Sequence, residues 1–256
     1  MNILITSGGT TERIDEVRAI TNTGTGTLGA MIADRFKERD ESHEVIYVCG
    51  KESVRPTLPA ETFIADDTAA LEWTIREICE SRRIDVVIHA MAVSDYRVKT
   101  VTDSALLAKR IAEEARRSGS GLPGEPGDAR EEAFAELILN APQIEDGGKI
   151  RSDHSDLVVV LERTPKIIGA LRELLPEAVI VGFKLLVDAS QDELLQTGLS
   201  TLKANNCDYV LANDMRTVTA GKHTGFLIDK EGAYTEAEGK DAIAELIVSA
   251  VTGNFS

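Results

Sequence analysis

Ile3-Leu4-Ile5-Thr6, running straight into Ser7-Gly8-Gly9-Thr10, and Ile84-Asp85-Val86-Val87-Ile88-His89, running into Ala90-Met91-Ala92, decide the fold. Each is a short, nearly unbroken apolar run that stops at small residues. Runs of this kind suit parallel strands buried on both faces, where neither side needs a polar alternation. Their small-residue ends then fall at the carboxyl edge of a sheet, where α/β folds bind their ligands.

Outward from these strands the chain alternates. A helix is expected from about Leu28 to Lys37, strands at Glu44–Cys49 and Thr62–Ala65, and an amphipathic helix over Thr68–Ser81, opened by an Asp-Asp-Thr cap. The pattern breaks between about 103 and 148. That stretch holds two charged helical segments around the Gly/Pro/Ser run Ser118–Asp128, which reads by composition as a flexible loop. Alternation then resumes: a strand at Leu157–Leu161, a helix over Pro165–Leu175 with proline in its first turn, and a strand at Ala178–Phe183. A helix over Gln191–Ala204, strands at Tyr209–Ala212 and Phe226–Asp229, and a closing helix from Lys240 to Val251 complete it. The expectation is a single α/β domain over 1–256 with a Rossmann-like, mostly parallel sheet covered on both faces and an insert, or flap, at about 103–148.

The bulk properties narrow the function. With 256 residues, 43% hydrophobic and 28% charged, the chain can bury a sizeable core. A net charge of −15 argues against nucleic acid and anionic membranes as partners. Neither a signal peptide nor an apolar run long enough for a membrane span is present, so a cytoplasmic location is expected. Cys49, Cys79 and Cys207 are scattered and read as reduced packing residues. His43, His89, His154 and His223 show no metal-ligand spacing, and His89, ending an apolar strand, reads as a core residue.

An anionic ligand therefore needs a local site. Gly8, Gly9 and Thr10 supply bare amides at a strand end. Gly24-Thr25-Gly26-Thr27-Leu28-Gly29 fits the dinucleotide fingerprint, yet it starts well past the first strand, and no acidic residue closes the second strand to bind a ribose. An NAD(P)-dependent reductase stays open on that motif, though Tyr96 is followed by Lys99 and not by a lysine four residues on. A non-catalytic nucleotide-binding module, in which the glycines serve turns and packing, is a further alternative.

The run Ile3 to Glu12, then Ile14-Asp15, Val17-Arg18 and Ile20-Thr21-Asn22, resembles the opening of the phosphopantothenate–cysteine ligases. The likeness continues in order through Ala90–Tyr96, Lys149-Ile150, Arg163–Ile168, Val181-Gly182-Phe183 and Leu211–Asp214, spanning nearly the whole chain. Gly182–Val187 and the Met91–Ser94 spelling look like the stand-alone bacterial form, so ligation alone, without a flavin, is expected. The sequence departs from the family pattern at Thr23–Thr27, which lacks a lysine, and at Arg151-Ser152 after Lys149-Ile150.

The resemblance implies 4′-phosphopantothenate, L-cysteine and a nucleoside triphosphate as substrates, CTP ahead of ATP. Mg²⁺ would arrive on the nucleotide's phosphates with no metal site of the protein's own, and a homodimer is implied. It assigns Lys149 to the first, charge-crowding step and Asn22 to the second. Arg18 and Ala92 would bind the substrate, Arg18 also ordering its loop. Gly8, Gly9, Thr10, Asp95, Pro165, Lys166, Ile167, Ile168, Phe183 and Lys203 would bind the nucleotide.

Overall fold

The computed structural model of the chain describes residues 1–117, 128–144, 148–154, 156–219 and 222–253. The loop expected at Ser118–Asp128 and the Gly147 beside Lys149 lie outside them, apart from Asp128 itself. In chain order the elements are β1 (Asn2–Ser7), β2 (Thr11–Arg13), β3 (Ala19–Thr21), α1 (Thr27–Arg39), β4 (Glu44–Cys49), β5 (Glu61–Ile64), α2 (Thr68–Ser81) and β6 (Val86–His89). There follow β7 (Tyr96–Asp103), α3 (Ser104–Arg117), α4 (Asp128–Leu139), β8 (Leu157–Arg163), α5 (Ile167–Leu174) and β9 (Val179–Leu186). The chain closes with α6 (Gln191–Ala204), β10 (Tyr209–Asp214), α7 (Met215–Thr219), β11 (Thr224–Asp229), β12 (Tyr234–Glu238) and α8 (Lys240–Gly253).

Two compact units contain these elements: Met1–Thr10, Asn22–Val93 and Pro165–Ser256 form the first, and Thr11–Thr21 with Ser94–Thr164 the second. The first unit is an eight-stranded sheet in the order β12-β11-β10-β9-β6-β1-β4-β5. From β5 to β10 every neighbouring pair is parallel, while β11 and β12 continue the sheet antiparallel. Strands are added outward in both directions from β1, which is the Rossmann order, and the order reverses between β1 and β6. The apolar strands alternate between two cores. Ile3, Ile5, Val86 and Ile88 pack with Ile32 and Phe36 of α1 and with Ile243 and Ile247 of α8. Leu4, Val87 and Ile180 pack on the opposite face with Leu71 and Ile75 of α2 and Ile167 and Leu171 of α5. Each such fully buried side chain contributes about 1.5–3 kcal/mol of transfer free energy.

Local signals set the helix ends. Asp67 caps α2 by accepting the Ala70 amide at 2.7 Å, and Ser190 with Glu193 forms a capping box at the start of α6. Gly26, at φ +79°, opens α1 in a left-handed turn that a side chain would strain.

The second unit is built on two antiparallel pairs, β2 with β3 and β7 with β8, the latter carrying an irregularity between Val98 and Thr100. Here the sequence expectation needs correction: Leu157–Leu161 is a strand, but it pairs with β7 and not with the central parallel sheet. The sequence does not announce β7, because Tyr96–Asp103 mixes polar and β-branched residues, as a strand on a half-exposed ladder does. The helix expected from Pro165 begins at Ile167 with Lys166 as its cap, so Pro165 stands ahead of the helix. β9 runs on to Leu186, because Lys184–Leu186 continue the ladder with Ala212–Asp214.

Candidate functional site

In the first unit the site starts where β1 and β6 end. Thr6 accepts the Ala90 amide at 3.0 Å, Gly8 accepts the Ala92 amide at 2.8 Å, and the Thr10 amide returns to the Ala92 carbonyl at 3.1 Å. The two strand ends are thus sewn together at the point where the strand order reverses. Asn22 joins the same lattice. Its backbone amide donates to the Thr10 carbonyl at 3.1 Å and its side-chain Nδ2 to the Ala92 carbonyl at 2.9 Å. Gly8, Gly9, Thr10, Asn22 and Ala92, all candidates from the sequence, come together here.

The glycines make this closeness possible. Gly8 sits at φ +89°, and a Cβ there would lie 1.9 Å from Ser53 Oγ; one on Gly9 would lie 2.2 Å from the Asn22 carbonyl oxygen. A Cβ on Gly29 would fall 2.2 Å from Ser7 Oγ, so this glycine lets α1 press against β1. The residues separating the fingerprint from β1 contain the β2–β3 hairpin, which belongs to the second unit. Gly24–Gly29 therefore resumes the first unit next to the end of β1, despite its late start in sequence.

Pro165, Lys166, Ile167 and Ile168 form the approach and first turn of α5. That helix leads into the amino end of β9, so its own amino end lies at the carboxyl edge of the sheet. The first-turn amides of a helix have no partner within it, which suits them to an anion. Phe183 is half-buried on β9 against the α1/α8 core. Lys203 does not join these residues. It occupies the last turn of α6, which runs from the carboxyl edge back toward the start of β10, at the opposite edge from Gly8 and Ala92. A 14-residue helix puts about 20 Å between its ends.

In the second unit, Arg18, Asp15 and the segment around Lys149 are tied together. Asp15 accepts the amides of Val17 at 2.7 Å, Arg18 at 2.6 Å and Ile150 at 3.2 Å, and pairs with the Arg18 guanidinium at 2.9 Å. Burial pushes its carboxyl up, and these amides with Arg18 more than offset that, holding it below the usual carboxylate range. Arg18 also donates to the Ile150 carbonyl at 3.2 Å, and the Glu16 amide to the Gly148 carbonyl at 2.9 Å. The backbone on both sides of Lys149 is thereby anchored while its side chain stays exposed. Gly148, at φ +85°, admits the Glu16 carboxylate, which a Cβ would meet at 2.8 Å. Asp15 is an anchor whose signal in the sequence is its position three residues before Arg18, in an Asx turn. Asp95 is exposed, and its carbonyl accepts the Thr164 amide at 3.1 Å.

Among the described residues no group of three or more His, Cys, Asp and Glu side chains could hold a metal, and no helix is long and apolar enough to cross a membrane. Cys49, Cys79 and Cys207 are free thiols; burial raises Cys79 and Cys207 to about 11, which keeps both protonated near neutral pH.

Comparison with known proteins agrees with this fold. A Streptococcus pneumoniae structure described as a DNA/pantothenate metabolism flavoprotein is 30% identical, with a TM-score of 0.77 and 99% of both chains covered. A Cab2 mutant in complex with phosphopantothenate-cysteine, 19% identical with a TM-score of 0.67, covers 99% of this chain and 85% of that one, and shares the fold. The coenzyme A biosynthesis bifunctional protein CoaBC of Thermococcus kodakarensis is 27% identical over 231 residues, 90% of this chain and 45% of its own length. Its namesake in Methanocaldococcus jannaschii is 26% identical over 251 residues, 97% of this chain and 50% of its own. The chain thus spans about half the length of these curated relatives. The family model for the DNA/pantothenate metabolism flavoprotein C-terminal domain matches residues 1–115 and 141–254. With nearly the whole sequence and the sheet order accounted for, the chain belongs to the family of DNA/pantothenate metabolism flavoprotein C-terminal domains.

Proposed function

We propose that this chain is a phosphopantothenate–cysteine ligase, acting in coenzyme A biosynthesis. A carboxylate oxygen of 4′-phosphopantothenate attacks the α-phosphorus of a nucleoside triphosphate, CTP by resemblance, and the bond to pyrophosphate breaks. The amine of L-cysteine then attacks the acyl carbon; a C–N bond forms and the nucleoside monophosphate leaves. The observation that carries this reading is the lattice joining Gly8, Thr10, Asn22 and Ala92 at the reversal point of the sheet, in a chain of this family. Two relatives named for coenzyme A biosynthesis and a fold relative bound to phosphopantothenate-cysteine point the same way.

Each residue has a distinct task. Lys149, exposed on an anchored backbone, supplies the cation for the step that brings carboxylate and phosphate oxygens together. Asn22, its amide oriented by the Ala92 carbonyl, holds the acyl carbonyl and its oxyanion in the second step. Arg18 orders the loop beside Lys149 and offers the substrate phosphate a charge. Gly8, Gly9 and Thr10, the first turn of α5 and Phe183 receive the nucleotide, with Asp95 on its ribose or base. Mg²⁺ is carried by the phosphates and neutralises the departing pyrophosphate. A homodimer in the cytoplasm is the expected form.

The test is product formation. Phosphopantothenate, L-cysteine, MgCTP or MgATP and the purified protein should give phosphopantothenoylcysteine, detected by mass spectrometry. Absence of that product with either nucleotide, from folded protein, refutes the proposal.

A further inference from the structure

One register row of the central sheet holds an unspent polar group. Thr6, His89 and Gly182 are neighbours across β1, β6 and β9, so their positions are about 5 Å apart. All three fall on the α2/α5 face, in phase with Leu4, Val87 and Ile180. His89 is 5% exposed, and its Nδ1 lies 2.8 Å from the Thr6 hydroxyl. Its Nε2 has no hydrogen-bond partner among the described residues, yet it is not sealed from solvent. Directly beside it, Gly182 leaves room for Ile168 of α5, whose Cδ1 lies 2.8 Å from where a Cβ would be. The imidazole therefore stands next to the first turn of α5, at the carboxyl edge of the sheet. A ring nitrogen that no protein group pairs, and that opens beside a helix amino end, is placed to meet a ligand.

We infer that His89 binds a phosphate of the nucleotide: Thr6 donates its hydroxyl hydrogen to Nδ1, which fixes the tautomer carrying hydrogen on Nε2, and that N–H donates to an anionic oxygen lodged at the first turn of α5. The inference rests on the ligase reading for its ligand, and adds a side-chain donor to a site otherwise made of backbone amides. Burial holds the imidazole neutral down to about pH 4, so it acts as a fixed donor and not as a titrating charge. No strand position on this row other than His89 offers a nitrogen, because Thr6 carries only a hydroxyl and Gly182 no side chain.

The experiment compares wild type, His89→Gln and His89→Leu for binding of MgCTP, MgATP and inorganic tripolyphosphate by calorimetry. ¹⁵N spectra of the histidine ring are recorded alongside, and thermal melts show that each variant is folded. Glutamine keeps a donor at similar reach and should bind within a few-fold of wild type. Leucine should weaken binding on the order of tenfold or more, the loss expected for one hydrogen bond to a charged acceptor. The Nε2 resonance of His89 should be that of a protonated nitrogen and should move when tripolyphosphate is added. A folded leucine variant that binds as tightly as wild type overturns the inference, as does equal weakening by glutamine and leucine with an unmoved resonance. If wild type makes product while His89→Leu keeps full affinity, only the inference falls. If wild type binds none of the three ligands, the ligase reading falls with it.

Discussion

Lys149, Asn22 and His89 carry their assignments through different physics. Lys149 is exposed, so its charge is free to meet anionic oxygens, while Asp15 and Arg18 hold the backbone next to it. Lys149→Gln is expected to abolish acyl-nucleotide formation, seen as loss of pyrophosphate release without loss of folding. Asn22 donates to the Ala92 carbonyl, and Asn22→Asp would set a carboxylate against that oxygen. In that variant the acyl-nucleotide should still form and should accumulate in quenched mixtures, because its capture is impaired. Equal loss of both half-reactions in the two variants would contradict this division. His89 offers a test of burial itself. Its folded pKa of about 4 lies below the ordinary 6.5, so as pH falls the unfolded chain takes up the proton first. Its contribution is full above about pH 6.5 and lost progressively toward pH 4, on the order of 3 kcal/mol at about 1.4 kcal/mol per pH unit. His43 and His223, also lowered by burial, act in the same sense. His89→Gln should flatten, without abolishing, the fall in melting temperature over that interval.

Secondary elements were legible where local chemistry and burial agree. The bounds of α2 follow from its Asp67 cap and its apolar stripe, and those of β4 from an apolar run closed by glycine. The helix over Gln191–Ala204 carries its own signal in Ser190 and Glu193. Replacing Ser190 with alanine should cost about 1 kcal/mol, readable as a drop of a few degrees in melting temperature with nucleotide affinity unchanged. The β2–β3 hairpin and β7 were not legible, because their residues are short, polar or half-exposed and satisfy a ladder whose partner lies far along the chain. Phe183 and Gly182 read as a strand end, and only the register with β10 shows that β9 continues past them. The glycine fingerprint read as misplaced for the related reason that an intervening hairpin is invisible to spacing. A Gly9→Ala change should disturb that junction, since its Cβ would lie 2.2 Å from the Asn22 carbonyl oxygen. Weakened nucleotide binding together with a lower melting temperature is expected, because the atom in the way belongs to the backbone and cannot swing aside.

At the scale of the molecule, the parallel order from β5 to β10 was foreseeable from apolar strands alternating with amphipathic helices. The division into two contact units was not, because strand–helix alternation resumes after the break and Thr11–Thr21, the first segment of the second unit, is too short and polar to show as a hairpin. Of the candidate site residues, Gly8, Thr10, Asn22 and Ala92 of the first unit converge where two strand ends meet, whereas Lys203 lies at the opposite edge of the sheet, because spacing along the chain does not tell which end of a helix faces the site. In the second unit Leu157 and Leu161, on the same side of β8, are exposed at 41% and 38%. If they take part in the expected homodimer, sedimentation should show a dimer for wild type and a shift toward monomer for Leu161→Asp. The proposed ligase activates a carboxylate with a nucleotide and passes it to cysteine. Pyrophosphate release from MgCTP and, separately, MgATP tests it most directly, with and without phosphopantothenate and with and without L-cysteine. A ligase of this kind gives release that requires phosphopantothenate, with sustained turnover only when cysteine is present. Release that ignores phosphopantothenate, or none from folded protein with either nucleotide, would contradict it.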